Sequence, residues 1–249
     1  GGVVVPTGNK TINFGSTTLT NAGVADMFIA KYDSAGNVLW AKSAGGANYD
    51  RSYSISTDVN GNIFVTGSFQ SPSIIFGSTT LTNAGGNDMF IVKYDSTGNV
   101  LWAKSAVGTN SDAGYGISAD ASGNVFVTGI FSSSTITFGS TNLTNAGFYD
   151  MFIVKYDSSG NALWAKRSGG ANDDFGLGIS TDASGNVFVI GMFISPSIVF
   201  GSTTLTNAGG NDMFIVKYDS TGNVFWAKSA GGTNAEWGYG ISTDVTGNV

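Results

Sequence analysis

The stretch KYDSTGNVLWAKSA, Lys93–Ala106, decides the fold because it is not unique. Nearly the same string begins again at Lys31, Lys155 and Lys217. A catalytic site is needed once, whereas a string needed four times at one spacing is architecture. Phe14, Phe76, Phe138 and Phe200 are 62 residues apart each time. So are Trp40, Trp102, Trp164 and Trp226, and so are Asp26, Asp88, Asp150 and Asp212. Four units account for 4 × 62 = 248 of the 249 residues, so the repeat comes before any motif.

Inside one unit, short apolar runs alternate with Gly-Asn turns. Tyr115–Asp120 (YGISAD) is predicted as a strand, here strand A, and Asn124–Phe131 (NVFVTGIF) as strand B. Asp150–Asp157 (DMFIVKYD) is strand C and Asn161–Arg167 (NALWAKR) is strand D. The A–B and C–D connections both read D-x-x-G-N. The Asp side chain accepts from the turn backbone, and Gly supplies the positive φ of a short hairpin. No helical period competes anywhere in the chain.

Strands B and C are apolar on both faces, through Val125, Phe126 and Val127 and through Met151, Phe152, Ile153 and Val154. Such strands belong to a sheet covered on both sides. Four-stranded antiparallel sheets repeated radially form a β-propeller, in which neighbouring blades cover each other. The expected fold is therefore all-β: a propeller of four 62-residue, four-stranded blades. The repeated tryptophans, Trp40, Trp102, Trp164 and Trp226, are expected to wedge between blades.

The strings D-x-F-I-x-K-Y-D-x-x-G-N-x-x-W and G-I-S-x-D-x-x-G-N-V-F-V-T-G resemble the bacterial SBBP-type β-propeller repeat across all four units. That resemblance implies a large secreted or surface protein, of the kind found in Bacteroidetes-like bacteria. The run DSTGNVLW is also similar to the tryptophan-docking repeat of PQQ dehydrogenase propellers, one residue short between Asp95 and Gly98. No cofactor is carried over, because the acidic and calcium-binding residues of those enzymes have no match here.

The unit is longer than the roughly 40–50 residues of common blades. The surplus lies between B and C, as in Ser132–Phe148, and reads as an extra hairpin projecting from the B–C edge. The chain ends at Gly247-Asn248-Val249, the start of a strand B. It opens with Gly1-Gly-Val-Val-Val-Pro-Thr-Gly8, which resembles the rest of one. One blade is thus expected to be shared between the N- and C-termini. Residues 1–249 read as a single propeller domain, either closed as four blades or a segment of a larger ring. Alternatively, the split blade is completed by another molecule, head to tail.

Bulk chemistry narrows the function. The net charge is −6, and the 9 Lys and 2 Arg form no cluster, so no nucleic-acid groove is expected. No apolar run approaches the ~18 residues of a membrane span. Cys and His are both absent, which removes disulfides, the usual zinc sites, the Ser-His-Asp triad and histidine proton shuttles. The D-x-x-G-N turns offer two or three oxygens each, short of the 6–8 that calcium takes, and read as structural. Lys31, Lys93, Lys155 and Lys217 read as stems packed along a blade with the head at an edge. The expected catalytic, metal and cofactor sets are therefore all empty.

The four units differ mainly in two places, the D-to-A loops and the segment before strand C. Propeller geometry puts both on one face, opposite the D-x-x-G-N turns. That face carries Tyr49, Arg51, Phe148, Tyr149, Phe175 and Trp237 among Asn and Asp, a mixture suited to sugar or protein contacts. Two functions follow as expectations. The first is a non-enzymatic extracellular structural or adhesive repeat protein, a scaffold or filament of the cell surface. The second is a ligand-binding module, lectin-like or protein-binding, that uses the variable face. The partners expected are the chain itself or a surface glycan or protein.

Overall fold

A computed structural model describes residues 2–4, 10–106, 108–244 and 246–249 of the chain; for residues 2–4 it describes the backbone alone. All regular structure among them is β, and every strand pairing within the sheets is antiparallel. Three sheets have four strands each in the order A–B–C–D. The first comprises Asp50–Thr57, Ile63–Phe69, Asp88–Tyr94 and Val100–Ala106. The second comprises Asp112–Ala119, Val125–Phe131, Asp150–Tyr156 and Ala162–Ser168. The third comprises Asp174–Thr181, Val187–Phe193, Asp212–Tyr218 and Val224–Ala230. A leading sheet, ahead of these in the chain, has three strands: Gly2–Val4, Ala25–Tyr32 and Val38–Ala44.

Strands B and C are buried at every residue in the central sheet, as two-faced apolarity requires. The cores lie between sheets rather than within them. Phe64, Met89 and Ile91 of one sheet pack with Ile117, Val125, Val127, Phe152 and Val154 of the next. Strand A begins three residues earlier than the sequence suggested, because Asp112 already pairs with Phe131. The register then slips between Gly114 and Gly116. Tyr115 is the extra residue of that bulge, and a bulge re-aims its side chain.

The D-x-x-G-N turns close as their chemistry dictates. Asp157 Oδ1 accepts from the backbone N–H of Ser159 and of Asn161, each at 2.9 Å. Its Oδ2 accepts from Asn161 Nδ2 at 2.8 Å, and Gly160 sits at φ +82°.

The surplus between B and C is a two-stranded hairpin, Thr135–Phe138 with Thr141–Thr144. It does not simply project. Ile136, Phe138 and Leu143 are buried on its sheet, with the Phe138 and Phe152 rings 5.0 Å apart. The period-2 burial of these four-residue strands gives the hairpin its own inward face.

The expected sharing of one sheet between the two ends is not seen. Among the described residues, Gly2–Val4 pairs only with Ala25–Met27. Residues 236–244 form no strand among the described residues and lie beside Asp174–Thr181 instead. There Thr243 Oγ1 donates to Thr181 O at 2.9 Å and meets Ser180 Oγ at 3.0 Å. These are the contacts that stack neighbouring units, since Thr181 Oγ1 makes the same bond to Ala119 O at 3.0 Å. Stacking, rather than pairing, therefore holds the segment, and no closed sheet forms among the described residues. Residue 1 and residues 5–8, the rest of the expected strand B, lie outside them.

Candidate functional site

The strand registers put both variable connections at the same end of each sheet. Asp112 opens strand A opposite Phe131, where strand B ends, and Phe131 is opposite Asp150, where strand C opens. Met151 is opposite Ser168, the end of strand D. The D-x-x-G-N turns consequently line the other end.

At the variable end the structure gathers some of the predicted residues and separates others. Tyr149 packs edge-on against Phe175, ring centroids 5.8 Å apart, and Phe175 lies 6.5 Å from Trp237. Arg51 stacks over Tyr49 at 4.7 Å. Phe148 has no ring partner among the described residues and is 69% exposed. Sequence reasoning assigned no role to Tyr53, Tyr115 and Tyr239, all at the bulge position of strand A or its equivalent. Tyr53 and Tyr115 meet edge-on at 5.1 Å, and Tyr239 lies parallel to Trp237 at 5.8 Å. Burial, with the neighbouring hydroxyls of Tyr53 and Tyr149, pushes the Tyr115 phenol up to about 12. Tyr53, Tyr115, Tyr149, Phe175, Trp237 and Tyr239 thus form a row across successive units. The signal that could have found part of it was the string G-Y-G-I-S at Tyr115 and Tyr239, with S-Y-S-I-S at Tyr53, which leaves an aromatic as the one large side chain between two small ones.

Beneath that face lie buried carboxylates. Asp50, Asp112 and Asp174 each accept from a serine hydroxyl, Ser71, Ser133 and Ser195, at 2.6, 2.8 and 2.7 Å. Those bonds tie the start of strand A to the segment that leaves strand B. Asp26, Asp88, Asp150 and Asp212 accept from the backbone N–H of Ala22, Ala84, Ala146 and Ala208 and brace the entry to strand C. Burial raises the Asp112 and Asp150 carboxyls to about 6. Arg167, 2.9 Å from Asp150, opposes the rise at Asp150. Both aspartates are wholly buried, so neither meets a solute in this conformation. Among the described residues no three Asp or Glu side chains converge in a way that could hold a metal ion.

The repeated tryptophans and lysines meet at the seams between units. Trp40, Trp102 and Trp164 donate through Nε1 to Ser96, Ser158 and Ser220 O of the next unit, at 3.3, 3.0 and 3.2 Å. Their rings lie over Gly98, Gly160 and Gly222, where a Cβ would come within about 3 Å of the indole. Lys31, Lys93 and Lys155 donate to the same three serine carbonyls, at 2.8, 3.1 and 3.0 Å. The Lys93 and Lys155 ammonium groups also sit 5.0 Å from the Phe64 and Phe126 ring centres. The expected placement of the head at an edge is corrected here. Lys93 and Lys155 are buried, and the head reaches a seam because the next unit offers it a carbonyl and its own sheet offers a ring face.

These features define a class, an all-β protein of stacked propeller-type repeats. Within that class, residues 39–68 match the SBBP family, described as a beta-propeller repeat, and the family likeness read from the repeat stands. The chain is 30% identical, over 88% of its length, to an uncharacterized WD repeat-containing protein of Acanthamoeba polyphaga mimivirus, covering 20% of that protein. It is 26% identical, over 74% of its length, to the regulatory protein FlaEY of Caulobacter vibrioides, covering 21% of it. The chain therefore spans about a fifth of the length of these curated relatives. A solved structure of a protein of unknown function from Bacteroides caccae aligns with 82% of this chain and 93% of its own, at 10% identity and a TM-score of 0.27. That likeness is too slight to inform the fold.

Proposed function

We propose that this chain is a non-enzymatic extracellular repeat scaffold, a structural or adhesive component of a cell surface. Its four units serve as consecutive propeller blades, and the three-stranded leading sheet is completed by a strand like the segment at 236–243. One observation carries the reading. The repeated Asp side chains are engaged in turns or loop braces, Lys31, Lys93 and Lys155 and Trp40, Trp102 and Trp164 in seams to the next unit, and the units differ mainly in what they show at one face. The WD-repeat name of one relative supports a scaffold of this kind. The test is immunolabelling of intact cells that produce the full-length protein. Labelling of unpermeabilised cells is expected; labelling only after permeabilisation would refute the exterior placement.

A second reading has its own observation, the aromatic row. Rings at roughly 5–7 Å spacing offer flat apolar area at low entropic cost, and the Asn and Asp side chains of the loops offer polar contacts beside it. This suits a lectin-like or protein-binding face. A glycan array with Trp237→Ala and Tyr149→Ala controls tests it. Signal lost in both variants supports the reading, and signal unchanged in both refutes it.

A further inference from the structure

A cleft repeats at each of the three seams between consecutive sheets, with a described unit on both sides of it. The three measure about 210, 240 and 220 Å³. Strand D of one unit forms one wall, and the hairpin turn and C–D turn of the next form the other. In the middle cleft these are Lys104 and Ser105 against Gly139, Gly160 and Asn161. The other two repeat that lining 62 residues away, with Arg167 in place of the serine in the third.

Their chemistry is of one kind. Lys42, Lys104 and Lys166 are exposed and make no ion pair or hydrogen bond among the described residues. Lys104 stands opposite Ile91, which packs towards the next unit, so the lysine shares that face. Tyr94 and Tyr156 line the first two clefts and are each 3% exposed, whereas Tyr32, which faces no such seam, is 50% exposed. Their hydroxyls have no hydrogen-bond partner among the described residues, yet they are not sealed. The sealed polar atoms without a partner are Asp26, Asp150 and Asp212 Oδ1. Both hydroxyls therefore open on the cleft. Asn99, Asn161 and Asn223 direct Nδ2 to the turn aspartates, at 3.0, 2.8 and 3.0 Å, which leaves Oδ1 to accept. No carboxylate lines the second or third cleft among the described residues, in a chain of net charge −6.

We propose that each cleft binds one uronic-acid residue of an acidic polysaccharide. The ammonium group meets the sugar carboxylate, the phenol hydroxyl donates beside it, and the asparagine Oδ1 accepts from a sugar hydroxyl. A neutral sugar leaves the lysine without a counter-charge. An acidic peptide side chain brings the carboxylate but no hydroxyl for the amide oxygen. Each volume is below the roughly 300–1,000 Å³ of pockets that hold drug-sized ligands, which suits a single ring. One exposed ammonium–carboxylate contact is weak. Three clefts of like lining therefore favour a ligand that itself repeats, with avidity added by the second and third. The site is distinct from the aromatic row, which lies at the opposite end of the sheets. It needs only the seams and does not depend on where the protein resides.

The test titrates the purified chain with oligogalacturonate, with its methyl ester and with polyglutamate, by calorimetry at two temperatures. Oligogalacturonate is expected to bind. The ester, which has the same rings without the charge, and the variant carrying Lys42→Gln, Lys104→Gln and Lys166→Gln should each bind at least about tenfold more weakly. Tyr94→Phe with Tyr156→Phe, which keeps both rings, should weaken binding about fivefold at an unchanged melting temperature. No binding of oligogalacturonate at either temperature would overturn the proposal. So would equal binding of the ester or of polyglutamate, since the clefts would then read rings alone or charge alone. Undiminished binding by the lysine variant, or binding lost in Trp237→Ala, would place the ligand elsewhere and overturn the seam site. None of these outcomes bears on the exterior placement, which immunolabelling tests.

Discussion

Replacing Trp102 by alanine tests the seam most directly. The ring is half-buried, 6.1 Å from Phe64 and 6.4 Å from Tyr156, and it covers Gly160 of the next unit. A tryptophan carries about 200 Å² of surface that can be buried. Half of that, at about 25 cal/mol per Å², contributes about 2.5 kcal/mol. The bond from Nε1 to Ser158 O adds about 1 kcal/mol. Trp102→Ala should therefore destabilise the chain by about 3–4 kcal/mol, within the range seen for large aromatics. Urea unfolding followed by far-ultraviolet circular dichroism measures it, because that signal does not depend on the deleted indole. Trp102→Phe, which keeps a ring but loses the donor, should fall between. A loss below about 1 kcal/mol for the alanine variant would refute the seam as a source of stability.

Further outcomes separate the other interactions. Gly160 and Gly36 share a left-handed backbone, φ +82° and +84°, but only Gly160 lies under an indole. Alanine should cost about 1–2 kcal/mol at Gly36 from backbone strain alone, and clearly more at Gly160; equal midpoints in urea would contradict the packing. Asp157→Ala removes three hydrogen bonds of one turn and should cost about 1–2 kcal/mol, read from the shift of a thermal melt. Stability should also depend on pH on both sides of a maximum. Burial raises Asp112 and Asp150 from 3.8 to about 6, so the folded chain holds protons that the unfolded chain releases. Their contribution is full below the ordinary carboxylate range and is lost as pH rises through about 6. Asp33 behaves oppositely: the Asn37 side chain and backbone hold it low, and its contribution is lost on acidification. Melting temperature should peak at about pH 4–5 and fall towards neutrality, and Asp112→Asn should flatten the neutral limb. A melt that keeps rising to pH 7 would contradict the burial of these carboxylates.

Much of this protein could be read from its residues. Spacing alone revealed four units, because identical strings must solve identical packing problems. Alternation and Gly-Asn turns revealed strands A to D to within a few residues, since period and turn chemistry are local properties. The candidate face was half legible: its variable loops stood out, but Tyr53, Tyr115 and Tyr239 did not. Tyr53 and Tyr115 join the row through a bulge that only strand pairing creates, and Tyr239 through the stacking of its segment on Asp174–Thr181. The hairpin's inward packing was missed because its four-residue strands are too short to declare a face without the sheet they cover.

The sequence by itself determined the unit, its turns and its two-faced apolar strands, all set by contacts a few residues apart. Only the tertiary structure decided that the lysine heads and indoles of one unit close on the serine carbonyls of the next. Those partners stand 65 and 56 residues away, and no local pattern encodes which side of a sheet its neighbour will cover. It alone also distinguished Tyr32 from Tyr94, because burial depends on what stands opposite a residue.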